Sequence, residues 1–184
     1  EDCGVAAIEL GIPFSDPVAD GPTVQAAGER ALKNGATLKK VLELLKEYKE
    51  ERNIPIVLMT YLNPIFIYGI EKFAEDCTEA GVDGVIIPDV PLEEEAVIRD
   101  ALRKYSIAHI RLAALTSTTE RIKELGKRSE GFLYAVSVTG TTGARASHEK
   151  DVYDYLRKLK KHSSVPVLAG FGVSTPEQAH ELSA

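Results

Sequence analysis

The sequence predicts a parallel α/β fold, and three observations carry that prediction. Six short runs are dense in apolar, β-favouring residues. Each is followed by an amphipathic helical pattern, and no linker, low-complexity tract or charge block breaks the alternation. Strands covered on both faces read as near-continuous apolar runs, as a parallel sheet sandwiched by helices requires. A doubly wound sheet and a (β/α)8 barrel both satisfy the alternation. At about 30 residues per unit and about 250 for a whole barrel, the 184 residues hold six units and fall two short. The expected architecture is therefore an incomplete (β/α)8 TIM barrel, with residues 1–184 forming one partial domain.

The apolar runs are 5–10, 55–61, 82–90, 109–115, 132–138 and 165–169. After the first, a long loop holds an extra helix over about 23–34, closed by Gly35. Leu38, Val41, Leu42, Leu45 and Tyr48 then follow i, i+3, i+4 spacing behind Thr37, an N-cap residue. Ile70, Phe73, Ala74 and Cys77 make the next helical stripe, and Val97, Ala101, Leu102 and Tyr105 another, with Glu93–Glu95 in its first turn, where the helix dipole favours acids. Ile122 and Leu125 follow Ser117-Thr118-Thr119-Glu120, which reads as a capping box. Val152, Tyr155, Leu156 and Leu159 form the following stripe, and Ser174-Thr175-Pro176-Glu177 opens the last helix, with proline in its first turn.

Composition excludes several functions. A net charge of −6 argues against a phosphate-backbone binder, which carries a basic surplus. No apolar run approaches the roughly 18 residues of a membrane span. Cys3 and Cys77 are too few for a disulfide scaffold, and Cys77 sits on an apolar helix face. The four histidines show no metal-ligand spacing, so no metal site is expected. The chain begins at Glu1 rather than Met, so 184 is read as a fragment length and the lack of a leader carries no weight.

In parallel α/β folds the active site gathers at the carboxyl ends of the strands. Glu9 lies inside the first apolar run, where desolvation raises a carboxyl's pKa and suits it to acid–base work; taken alone, an ion pair or a solvated strand end is the simpler account of it. Asp16 and Asp20 follow in a segment stiffened by Pro13, Pro17, Pro22 and Gly21. Asp20 can fold back over the same strand end as a second carboxylate, or Asp20-Gly21 is simply a turn. Tyr61, Asn63 and Asp89 close the second and third strands as ligand contacts or turn caps. The glycine- and hydroxyl-rich stretch 137–145 and Gly170-Phe171-Gly172 before a capped helix make an anion site plausible.

These residues resemble a known family. The stretch from Glu9-Leu10-Gly11-Ile12-Pro13-Phe14-Ser15-Asp16-Pro17 through Val18-Ala19-Asp20-Gly21-Pro22-Thr23-Val24-Gln25 is similar to the signature of tryptophan synthase α subunits. The likeness continues through Met59-Thr60-Tyr61-Leu62-Asn63-Pro64, Pro88-Asp89-Val90-Pro91, Thr142-Gly143 and Gly170-Phe171-Gly172, covering the whole chain in order. Ala114-Leu115-Thr116 departs from it, many members having a proline there. The resemblance implies strands two to seven of a (β/α)8 barrel, and a cytoplasmic lyase of tryptophan biosynthesis. That enzyme cleaves indole-3-glycerol phosphate by a retro-aldol reaction to indole and glyceraldehyde 3-phosphate.

Carried over by motif, Glu9 is the catalytic acid/base and Asp20 its partner at the indole nitrogen. Tyr134 lies beside the catalytic Glu, and Thr142 bonds the catalytic Asp. Gly143 and Gly172 bind phosphate through their backbone, Met59 and Ile86 wall the indole pocket, and Tyr61 lies near it. Asp16, Asn63 and Pro91 face the β subunit, the implied partner. The chain itself needs no cofactor, because pyridoxal phosphate belongs to the β subunit. The alternative expectation is a non-catalytic fragment, or a β-subunit-binding module of the same fold.

Overall fold

The computed structural model describes residues 2–136, 149–170 and 175–183. It divides into two compact units, Glu1–His109 and Ile110–Ala184. The order of elements is the expected alternation of strand and helix.

In the first unit β1 (Ile8–Gly11), β2 (Ile56–Met59) and β3 (Gly84–Ile86) run parallel in that order. α1 (Pro22–Lys33) and α2 (Leu38–Glu47) lie between β1 and β2 in the chain. α3 (Leu62–Tyr68) and α4 (Ile70–Glu79) follow β2, and α5 (Ala96–Lys104) follows β3. The core joins one face of the sheet, Ile56, Leu58 and Val85, to Leu38 and Leu42 of α2, Phe73, Ala74 and Cys77 of α4, and Ile98, Ala101 and Leu102 of α5. Those helical residues are the ones the i, i+3, i+4 spacing selects, except on α5, where Ile98 and not Val97 turns into the core and Val97 is 38% exposed. Arg52 binds the ends of two helices together, donating to the carbonyls of Leu45 and of Ala80 and Gly81. A guanidinium meets the negative end of each helix there.

In the second unit β4 (Ala108–Ala114), from its third residue on, β5 (Leu133–Val136) and β6 (Val167–Gly170) are parallel neighbours. α6 (Thr119–Arg128), α7 (Glu149–His162) and α8 (Pro176–Ser183) complete it. α6 and α7 touch closely at Gly126, where a Cβ would stand 2.0 Å from the carbonyl oxygen of His162. No helix among the described residues is long and apolar enough to cross a membrane.

Several sequence expectations need correction. β2 to β5 are largely buried, but β1 and β6 are not, with Ile8 39% and Leu168 47% exposed. Each pairs with a single strand among the described residues, and α1 buries no residue over β1. The 82–90 run yields only the three-residue β3, because the chain turns at Pro88 and the Val90 amide bonds back to Ile87. Glu93–Glu95 precede α5 instead of forming its first turn, and Glu95 is buried at its N-cap. The capping box does not form in the register read: Thr118 is the N-cap and accepts from the Arg121 amide, while Ser117 accepts from the Ala114 amide. Thr37, by contrast, caps α2 as its sequence position implies, accepting from Lys40 at 3.2 Å.

Candidate active site

Residues paired in a parallel ladder point to the same face, and alternate residues to opposite faces. In the first unit, Leu58 and Val85 face the helices. Glu9 and Gly11 pair with Val57 and Met59, which pair with Gly84 and Ile86, so this set shares the other face. Glu9 therefore stands on the side of the sheet away from the helical core. Glu9 is exposed as a residue, and the partial shielding of its carboxyl by the surrounding protein raises its pKa from the ordinary value of 4.5.

The loop after β1 returns over the strand ends and is anchored there by Tyr61. This tyrosine follows β2, is 3% exposed, and accepts a hydrogen bond from the Ala19 amide at 3.0 Å. Its hydroxyl also bonds the Asp20 carboxylate. Phe14 packs against its ring, with centroids 5.4 Å apart. Burial pushes the Asp20 carboxyl upward and the Tyr61 hydrogen bond pulls it back, with burial prevailing. Burial first, and then the nearby charges of Asp20 and Asp89, push Tyr61 up to about 12, so it remains a proton donor. The backbone fixes Asp20 as well: its amide bonds the Pro17 carbonyl at 3.0 Å, and Gln25 of α1 donates to its carbonyl at 2.8 Å. The turn lies just before the dipeptide read as one: it spans Pro17 to Asp20 with Val18 and Ala19 at its centre, while Gly21 is the α1 N-cap and at φ −75° does not use glycine's left-handed freedom. Asp20 closes that turn, which places its carboxylate.

Beneath this loop lies a cavity of about 260 Å3 lined by Ile12, Phe14, Asp20, Val24, Met59 and Tyr61, among others. For scale, about 150 Å3 of apolar cavity holds a benzene ring. Met59 and Tyr61 both line this cavity. Ile86 does not line it, although it is fully buried beside Met59 on the same sheet face.

Asp16, Asn63 and Pro91 are all exposed. Val18, two residues after Asp16, and Ile67, four residues after Asn63 on α3, are apolar and also exposed, at 79% and 80%. Asp89 serves as a cap: its two carboxylate oxygens accept the Leu62 amide at 3.0 and 3.1 Å, closing the N-terminus of α3. α3 itself was missed in the sequence, where Asn63-Pro64 reads as a turn. Proline in a first helical turn was the available signal.

Tyr134 belongs to the second unit. It is 9% exposed, and its ring packs near Phe132 with centroids 6.3 Å apart. Its hydroxyl lies against Gly170, where a Cβ would stand 2.0 Å from the tyrosine oxygen. Gly170 thus belongs to the same niche for a reason the sequence does not reveal. Thr142, Gly143 and Gly172 lie outside the described residues.

Parallel βα units with Asp20 lining a mostly apolar cavity at the strand ends, and a second carboxylate, Glu9, on the sheet face that Met59 of the cavity wall shares, place the chain in the class of (β/α)-barrel enzymes. All 184 residues match the family model for the tryptophan synthase alpha chain. The chain is 63% identical over 184 residues to the tryptophan synthase alpha chain of Oceanobacillus iheyensis, covering 100% of itself and 70% of that relative. It is 52% identical over 182 residues to that of Bacillus thuringiensis subsp. konkukian, covering 99% and 70%. Among solved structures it is similar to the tryptophan synthase α2β2 complex of Pyrococcus furiosus, with a TM-score of 0.88, 43% identity, and 99% and 73% of the two chains covered. A protein of Aquifex aeolicus VF5 gives 0.89, with 43% identity and coverage of 99% and 70%. The chain belongs to the tryptophan synthase alpha chain family, and its six parallel βα units are part of that family's (β/α)8 barrel.

Proposed function

We propose that Glu9 and Asp20 carry out the α reaction of tryptophan synthase, the retro-aldol cleavage of indole-3-glycerol phosphate. One observation supports this assignment above the others. Tyr61 holds the Asp20 carboxylate at the cavity by the ends of β1 and β2, and Glu9 projects from β1 on the sheet face that Met59 of the cavity wall shares. The reaction must put a proton on indole C3, creating a cationic indolenine. The side-chain hydroxyl next to C3 then loses its proton and its O–H electrons form the aldehyde carbonyl. The C3–C bond breaks, and its electron pair neutralises the ring nitrogen. Indole and glyceraldehyde 3-phosphate leave. A carboxyl with a raised pKa exchanges protons near neutrality, which suits Glu9 to the transfers. A fixed, ionised Asp20 offsets the charge at the nitrogen, a preorganised electrostatic role.

Tyr134, Met59 and Ile86 complete the substrate surroundings in this reading, with Thr142 near Asp20 and the backbones of Gly143 and Gly172 on the phosphate. The reaction uses no cofactor of this chain. The partner is the tryptophan synthase β subunit, met through Asp16, Asn63 and Pro91, and pyridoxal phosphate belongs to that subunit. The compartment is the cytoplasm. The test is indole release from indole-3-glycerol phosphate by the wild type, Glu9→Gln and Asp20→Asn. Loss of turnover in both variants is expected, about 100-fold or more for removal of a general acid–base group. Near wild-type turnover in either would overturn its role. Stimulation of a β subunit without any indole release by the wild type would favour the binding-module alternative.

A further inference from the structure

Tyr155 of α7 is 5% exposed, and the reaction scheme gives it no task. Its hydroxyl donates to the carbonyl of Ala113 in β4 at 2.6 Å and accepts the amide of Val136 in β5. It therefore stands at the seam between two neighbouring strands. The ladder at this level is Ala113, Ala135 and Ala169, three small residues in register that leave room for an incoming aromatic ring. Burial holds the hydroxyl above the ordinary tyrosine range, so it stays protonated and keeps donating. Val136 ends β5 and pairs with Gly170, which ends β6. Gly170 is the residue against which the Tyr134 hydroxyl lies.

We infer that Tyr155 is a positioning residue for the lyase reaction: its hydroxyl ties the end of β5 to β4 and so fixes Val136 and Gly170 as the niche that holds Tyr134. The inference rests on the reading of Tyr134 as part of the substrate surroundings. Phenylalanine at 155 keeps the ring and its packing and removes one O–H, leaving the Ala113 carbonyl and the Val136 amide without their shared partner. A merely structural tyrosine and a positioning one differ in how they couple to Tyr134.

The experiment is a double-mutant cycle on indole release with Tyr155→Phe, Tyr134→Phe and the pair, together with amide exchange at Val136 in Tyr155→Phe. Expected are a fall of about ten-fold in kcat/KM for each single variant, in the range that misplacement of a substrate contact produces. The double variant should be no worse than Tyr134→Phe alone, and Val136 should exchange faster while Leu133 does not. Multiplying effects in the double variant, or an unchanged Val136 amide, would overturn the inference and leave the role of Tyr134 standing. An unchanged kcat/KM in Tyr134→Phe would remove the reading of Tyr134, and the inference with it.

Discussion

The hydroxyl of Tyr61 is hydrogen-bonded to the Asp20 carboxylate, and these two residues lie 41 positions apart in the chain. The same oxygen accepts the Ala19 amide at 3.0 Å, so one buried side chain sets both the course of the loop and the charge state of its acid. Tyr61→Phe removes both contacts. Because the Tyr61 bond lowers the Asp20 pKa, its loss lets burial raise that pKa further. In the proposed reaction Asp20 acts ionised. The acidic limb of the pH profile of indole release should therefore move to higher pH in Tyr61→Phe, with kcat reduced at neutral pH. A profile whose acidic limb stays in place would show that Asp20 is not the group titrating there.

Glu9 gives a prediction of opposite sign for activity and stability. Its folded-state pKa is raised by desolvation, so ionisation costs the folded state more than the unfolded one. Stability therefore falls as pH climbs from the ordinary value of 4.5 through the raised value, and the cost is constant above it. Glu9→Gln is neutral throughout. It should melt above the wild type at pH 7 and together with it below pH 4.5, while releasing indole far more slowly. Thermal melts across this range check it, and equal melting temperatures at pH 7 would contradict it.

These two sites show what local sequence can reveal and what it cannot. The carboxylates stand out because an acid inside an apolar strand and a proline-braced aspartate fall together around one strand end. The α2 cap at Thr37 and the stripe of Phe73, Ala74 and Cys77 depend only on residues within a few positions, and they formed as spaced. α3 escaped notice because its cap, Asp89, comes from 27 residues further along the chain. Ser117 fails as a capping-box residue because the Ala114 amide at the end of β4 claims its hydroxyl. The reason for glycine at 170 is likewise a tyrosine on the neighbouring strand. Long-range pairings of this kind leave no mark in local spacing.

Thr60 carries a buried hydroxyl, 1% exposed, with no hydrogen-bond partner among the described residues. Desolvating such a group without a partner costs about 1–3 kcal/mol. Thr60→Val keeps the branched shape and removes the oxygen. It should leave stability unchanged or raise it by up to about 1 kcal/mol, with indole release unaffected. A loss of more than about 1 kcal/mol in denaturant titration would mean that the hydroxyl is bonded in solution.

Gly170 faces Tyr134 so closely that even a methyl group has no room. Gly170→Ala must displace the tyrosine or the end of β6, and overpacking of this kind costs about 1–3 kcal/mol. The substitution should lower the melting temperature and raise KM for indole-3-glycerol phosphate. A variant that melts and turns over like the wild type would show that Tyr134 can swing away freely.

Ile67 is 80% exposed on α3, four residues beyond Asn63 and so on the same helical face. Tyr61, the α3 N-cap, ties the start of this helix to the loop that carries Asp16 and Val18. Exposed Val18 and Ile67 therefore belong to segments joined by one buried tyrosine, which also bonds Asp20. A β subunit that covers this surface removes isoleucine from water, an effect of about 1.5–3 kcal/mol for full burial. Ile67→Asp gives up that gain and adds a charge that must be desolvated. On the chain's own stability the change should stay within about 0.5 kcal/mol, as for an exposed position. Affinity for the β subunit, measured by titration, should weaken by about ten-fold or more, the equivalent of about 1.4 kcal/mol. The link through Tyr61 adds a second expectation: saturating β subunit should restrict the loop and raise kcat for indole release in the wild type, and Ile67→Asp should need more β subunit to reach the same plateau. An unchanged Kd would place Ile67 outside the contact, and a lower plateau at saturation would mean that the substitution disturbs α3 itself.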